Sequence, residues 1–235
     1  MVGDETMRKP ISGISSMATR SVLDELAQEY LRLTGQRVAI ESVGGVSAMR
    51  RVEDGEPFDI VVLAADAIDR LDTAGRIVSN SRVDLVRSGV AVAVAAGAPL
   101  PRIGTAAEIR EAILSARSIG YSTGPSGVHL TRLFEHWGIV EMIKPRIVQA
   151  PAGIPVGTLV ARGEVELGFQ QLSELMTLPG IEVIGPLPDE IQIITVFSAA
   201  ICTASVQRET AAALLSFLTS PKADSMKLAY GMTPA

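Results

Sequence analysis

The chain is poor in the residues that carry most ready-made chemistry. It has one cysteine, two histidines and 4% aromatic residues. Cys202 alone cannot close an internal disulfide, and it lies in an apolar run that reads as core. So few aromatics leave no stacking platform for bases. A net charge of −5 with no basic block excludes a nucleic-acid surface or an anionic-membrane surface. No apolar run approaches the length of a membrane span, so no direct membrane insertion is expected. Residues 1–10 are polar and lack the apolar stretch of a secretory leader. The expected location is periplasmic if an export leader was removed, and cytoplasmic otherwise. No Gly-Lys-Ser/Thr follows any glycine cluster, and 120–127 does not match the dinucleotide fingerprint. His129 and His136 have no cysteine or carboxylate at ligand spacing, so no metal and no cofactor is expected.

What is present is an alternation of short apolar runs and amphipathic stretches. The chain has 235 residues, 47% of them hydrophobic, enough for one large domain or two ordinary ones. Strands are expected at 11–14, 38–43, 58–63, 88–96, 118–121, 146–149, 165–170, 181–184 and 191–202. Helices are expected from about 17 to 34, then at 48–54, from 64, 106–117, 128–137, 156–162, 173–176 and 210–219. Strand followed by helix, repeated, means an α/β fold with parallel sheet covered on both faces. Two long β runs, 88–96 and 191–202, bracket the middle of the chain. They predict two lobes joined by two crossing strands: lobe one from 1–85 and 196–235, lobe two from 86–195.

The stretch 117–137 organises this reading. A buried strand ends at Tyr121. Ser122, Thr123 and Ser126 are interleaved with Gly120, Gly124 and Gly127, and an amphipathic helix carries Val128, Leu130, Leu133, Phe134 and Trp137. A helix start offers free N–H groups and partial positive charge, and small hydroxyl residues there add donors without blocking approach. Similar turns occur at Ser15-Ser16, at Gly44-Gly45-Val46-Ser47 and between Pro151 and Pro155. In open parallel sheets such turns gather at the carboxyl ends of strands, where ligands bind. Two turns belong to each expected lobe, which implies an anion held in a cleft between the lobes.

Ile14-Ser-Ser-Met17, Ser42-Val-Gly-Gly-Val-Ser47, the run from Gly55 to Asp66 and Gly124-Pro-Ser-Gly127 give the chain a second signal. In that order they resemble the periplasmic molybdate-binding proteins of ABC importers, over nearly the whole chain from Ile11. The resemblance implies a type 2 periplasmic-binding-protein fold, a small anionic ligand and an ABC importer permease as partner. It implies ligand contacts from Ser16, Gly45, Ser126, Pro155 and Gln171. Molybdate binders usually carry serine at the position of Gly45 and tyrosine at that of Gln171. With two hydroxyl donors gone and arginines near the turns, the expected ligand is an organic di- or tricarboxylate rather than molybdate. Some proteins resembling this family are isomerases of small tricarboxylates such as aconitate. The expectation is therefore a solute-binding protein, with isomerisation by proton transfer next to a carboxylate as the alternative.

Individual residues carry two readings. Ser15 and Ser16 are anion donors or cap a helix. Ser126 is a ligand contact or an N-cap, with Ser122 and Gly127 beside it and Gly44 ahead of Gly45. His129, in the first turns of the central helix, is a catalytic base or a solvent-facing histidine. Arg20 and Arg50 are charge partners of the ligand or solvated; Arg51 and Arg132 lie close to the same turns. Asp59 and Asp66 are read as hydrogen-bonding around a helix start. Gln170 and Gln171 end a buried strand, so at least one must meet ligand or loop backbone.

Overall fold

A computed structural model describes residues 9–151 and 153–235; the polar stretch 1–8 and Ala152 of the 151–155 loop lie outside the described residues. In chain order the elements are β1 (Ile11–Ser16), α1 (Arg20–Thr34), β2 (Val38–Val43), α2 (Gly45–Glu53), β3 (Ile60–Ala64), α3 (Ala65–Thr73) and β4 (Val83–Ala95). Then come α4 (Ala106–Ser115), β5 (Ile119–Tyr121), α5 (Pro125–His136), α6 (Val140–Ile143), β6 (Ile147–Gln149), α7 (Val156–Ala161), β7 (Leu167–Gln171) and α8 (Leu172–Leu175). The chain ends with β8 (Ile181–Pro186), β9 (Ile194–Ile201), α9 (Arg208–Leu218), α10 (Pro221–Ala229) and β10 (Met232–Pro234). No described helix is long and apolar enough to cross a membrane.

The chain divides into two compact units: Met1–Leu85 with Phe197–Lys227, and Val86–Val196 with Leu228–Ala235. In unit 1, β1 pairs in parallel with β2 on one side and β3 on the other, and β3 pairs antiparallel with β9. All five residues of β3 are buried, which is what a strand covered on both faces requires. Ile14, Val61, Leu63, Ile68, Leu71 and Ala200 belong to one core cluster. In unit 2, β5 lies parallel between β6 and β7, and β4 runs antiparallel to β7. Val90, Val92, Ile119, Leu130, Phe134 and Phe169 fill its larger core. Val156, Leu159, Val160 and Val165 form a second cluster.

Several boundaries differ from the sequence reading, among them the starts of β4 at Val83 rather than 88 and of α2 at Gly45 rather than 48. Helix α5 begins at Pro125, three residues earlier than its apolar periodicity suggests, because proline at the first helical position loses no hydrogen bond. Gly124, not Ser126, is its N-cap. Strand β9 begins at Ile194, since 189–191 is a 3-10 turn. There the Gln192 side chain reinforces the backbone bonding of β4: its amide oxygen accepts from Val90 N–H (2.9 Å), which also reaches Ile193 O (3.3 Å), and its nitrogen donates to Val90 O (3.2 Å). Finally, the chain end does not stay with unit 1 as 196–235 would require. Met232–Pro234 pairs antiparallel with 86–88 of β4, so Leu228–Ala235 belongs to unit 2.

Unit 1 is clasped by Asp59, which is 3% exposed. Its carboxylate accepts hydrogen bonds from Ser12 N–H (2.9 Å), Ser12 Oγ (2.9 Å), Ser205 Oγ (2.7 Å) and Gln207 Nε2 (2.7 Å). Burial alone would raise its pKa, but these donors outweigh it and hold the carboxyl below its ordinary value. The neighbouring Cys202 thiol is pushed up to about 12, by burial first and by Asp59's charge second. It is inert core, without thiolate character.

Asp59→Ala leaves four donors without their acceptor and should destabilise by about 3 kcal/mol in urea unfolding. Because the folded pKa is lowered, the unfolded state binds more protons in the acid range. The wild type should therefore lose stability as pH falls through the folded pKa, a loss that Asp59→Asn should not show.

Candidate functional site

In unit 1 the parallel register sets Ser16 opposite Val43, and Ser15 opposite both Ser42 and Val62. Each strand then hands over to a helix within a residue or two, so the helix starts collect beside Ser16. Ser16 is 7% exposed and caps a 3-10 turn at 17–19, yet its hydroxyl has no hydrogen-bond partner among the described residues. A side chain built on Gly45, the first residue of α2, would lie 3.7 Å from Ser16 Cβ. The helix start and the open hydroxyl are therefore neighbours. Ser15 is spent elsewhere: its Oγ lies 2.8 Å from Ser42 Oγ and donates to Ser16 O at 3.3 Å. Gly44 is the N-cap of α2 and offers no side-chain cap.

In unit 2 the strand β5 ends at Tyr121 and α5 begins four residues on. Ser122 Oγ accepts the Gly124 N–H at 3.3 Å. A Cβ on Gly127 would sit 1.8 Å from Ser122 O, so only glycine lets the first turn of α5 pack against this loop. Ser126 is 2% exposed. Pro155 is the N-cap of the short helix α7.

The first turns of the helices sort into two groups. Helices α3, α4, α6, α8, α9 and α10 each carry an acid there: Asp66, Glu108, Glu141, Glu174, Glu209 and Asp224. Helices α1, α2, α5 and α7 carry none. An acid in the first turn answers the partial positive charge of a helix start. The four helices without one are those that follow the Ser16, Gly44, Gly124 and Pro155 turns. Their field is not answered by an acid in their own first turn.

The other candidates fall differently. His129 is exposed on α5, one turn past Ser126, with no partner among the described side chains. Arg20 lies 3.9 Å from Asp24, and Arg50 lies 3.9 Å from Asp54, both as exposed pairs. Arg51 is taken by Glu41 and Glu56 and stacks over Phe58. Gln171, at 3% exposure, is committed within unit 2: with its amide turned to satisfy both ends, it accepts from Thr195 Oγ1 (2.8 Å) and donates to Ser88 Oγ (2.9 Å). No group of three or more His, Cys, Asp and Glu among the described residues could hold a metal ion.

Sequence reasoning missed Glu174. It follows the end of β7, accepts from Gln170 Nε2 (2.8 Å), and Gln170 Oε1 accepts the Gly157 N–H of α7 (3.3 Å). Burial pushes its carboxyl up to about 7, only partly offset by the Gln170 bond. Nothing in the local sequence signals this.

A family model described as bacterial extracellular solute-binding protein matches residues 11–233. The chain belongs to this family. An aconitate isomerase of a Pseudomonas species is 38% identical over 218 residues, covering 89% of this chain and 82% of that protein. The molybdate-binding protein ModA of Azotobacter vinelandii is 25% identical over 217 residues, covering 89% and 84%. A solved periplasmic molybdate-binding protein from the same organism superposes with a TM-score of 0.79 at 22% identity, covering 95% of this chain and 98% of that one. The fold is thus the two-unit α/β fold of the periplasmic binding proteins.

Two outcomes follow for this solute-binding protein. Ser16→Ala removes a buried hydroxyl that has no partner, so ligand-free protein should gain about 1 kcal/mol in urea unfolding while its anion affinity falls. Glu174→Gln should stabilise the protein at pH 8 relative to wild type and change little at pH 4. The raised folded pKa means the native state binds more protons between the ordinary glutamate pKa and about 7, so wild-type stability falls as pH rises through that window. Thermal unfolding of both proteins across pH checks it.

Proposed function

We propose that this chain binds a small unsaturated polycarboxylate and isomerises it by moving a proton between carbons. The observation that carries the reading is Ser16: a buried hydroxyl without a partner, beside a helix start that carries no acid. Such a donor set suits a carboxylate oxygen. The similarity to a protein named aconitate isomerase supports an organic acid over an inorganic oxyanion. So does Gln171, whose amide is already committed to Thr195 and Ser88.

In the reaction, a C–H bond breaks on a methylene next to a carboxylate. Its electron pair spreads over the adjoining double bond and the carboxylate. A new C–H bond forms at the far carbon, and the double bond moves one position. The acid-free start of α2 beside Ser16 stabilises the negative charge that develops as the proton leaves. His129, exposed beside the Ser126 turn, is the proposed proton carrier.

The family description favours a second reading, a receptor that delivers the same acid to an ABC importer permease. Proton NMR of cis- and trans-aconitate in deuterated buffer separates the two. Interconversion with deuterium uptake, lost in His129→Ala and kept in Glu174→Gln, is the expected result. Binding with neither signal leaves the receptor; a thermal shift with molybdate and with no organic acid removes both. A ligand at 100 times its Kd should stabilise by about 2.7 kcal/mol.

A further inference from the structure

The chain passes from one unit to the other between Leu85 and Val86, between Val196 and Phe197, and between Lys227 and Leu228. Within unit 2 all three passages come to one residue, Ser88, which is 1% exposed. Ser88 lies on β4, just past the first crossing. Its backbone pairs with Met232 of the C-terminal tail, itself fully buried. Its hydroxyl and its carbonyl accept from the Gln171 amide nitrogen, at 2.9 and 3.1 Å, and the amide oxygen accepts from Thr195 Oγ1 at 2.8 Å. Thr195 is on β9, just ahead of the second crossing. Strand β7 pairs with β4 only from Val90 onward, opposite Gln171, so the Gln171 side chain reaches past the end of that ladder toward the crossing. A second fastening lies beside it, where Val90 N–H meets Gln192 Oε1 and Ile193 O. The tail is fitted to the same place. Gly231 has φ +67°, and a Cβ there would come within 2.7 Å of Met176 Sδ and 2.8 Å of Leu172 Cδ2. Leu172 opens α8, the helix for which Gln171 is N-cap. A buried amide whose donors and acceptor are all used holds a single arrangement.

We infer that Ser88, Gln171 and Thr195 form a knot that binds the three passages into one block within unit 2, and that the tail 228–235 is the strap that keeps it tied. Neither strand then moves alone at its crossing. Bending of the chain at the passages falls outside 86–90 and 192–196, and undocking the tail loosens both strands together. The device works whichever solute the protein takes and does not rest on the polycarboxylate reading.

Hydrogen–deuterium exchange of the ligand-free full chain tests it on wild type, Thr195→Val, Thr195→Ser and Gly231→Val. Thr195→Val keeps the shape and removes the hydroxyl, whereas Thr195→Ser keeps the hydroxyl. Gly231→Val puts a branched side chain at a positive φ against α8 and undocks the tail. Thr195→Val should speed exchange about tenfold at 192–196 and equally at 86–90, far away in sequence. Thr195→Ser should exchange as wild type does. Gly231→Val should speed both segments as well as the tail. In every variant 119–136, in the core of the same unit, should keep its wild-type exchange. A Thr195→Val effect confined to 192–196, or a Gly231→Val effect confined to 228–235, overturns the inference, because local packing alone would give that. Equal loosening of 119–136 overturns it too, since the passages would then have no block of their own. Should Gly231→Val fail to fold, the two Thr195 variants decide alone.

Discussion

The arrangement depends on the parallel register of one strand in each unit. A parallel strand cannot turn straight back; its chain must cross over, and each strand releases its chain at the same end. With β1 held between β2 and β3, the handover points at Ser16, Val43 and Ala64 are forced together. With β5 held between β6 and β7, Tyr121, Gln149 and Gln171 end on one side of unit 2. Backbone hydrogen bonding thus concentrates helix starts in space before any functional residue is considered. What the sequence then decides is which of these starts it neutralises itself.

That decision is visible in the placement of acids. Helix α4 shows the closed solution: Thr105 accepts the Glu108 N–H and Glu108 accepts the Gly104 N–H, so the start is satisfied from within. Helix α2 shows the open one, with glycine as cap, glycine first, and no acid in its first turn. An open start and an unpartnered Ser16 hydroxyl both cost stability in the ligand-free protein. A bound group that supplied the missing acceptor would return that cost as affinity.

Much of this was legible in the residues. Alternating apolar runs reported the α/β class, and the resemblance carried by Gly55 to Asp66 and the small-residue turns reported the fold. The Ser126 turn was recognisable because glycine and proline leave few conformations. Other features were not readable because they depend on who is adjacent in space. The Gln171 amide could have faced ligand or protein, and only the presence of Thr195 and Ser88 beside it settles its use. Glu174 looks like any surface glutamate until its partner Gln170 is seen to be held by the Gly157 N–H of α7. Arg51 looked free until Glu41 and Glu56 were found on either side. The acid-free first turns were present in the sequence all along, but they mean nothing until helix boundaries are known to within a residue. The last strand was missed because three residues, Met232 to Pro234, make no periodicity.

The Asp59 clasp also sets a timetable for synthesis. Asp59 leaves the ribosome 146 residues ahead of Ser205 and 148 ahead of Gln207. At about 5–20 residues per second that is a wait of roughly 7 to 30 s. Through that interval Ser12 is the only member of the clasp available, and β3 lacks its antiparallel neighbour β9. The five buried residues of β3 emerge with one side of the strand unpaired, the state most open to wrong partners. Unit 1 is begun first and finished late, so a nascent chain stalled between the two events carries a half-made sheet that only a chaperone or the missing segment can cover.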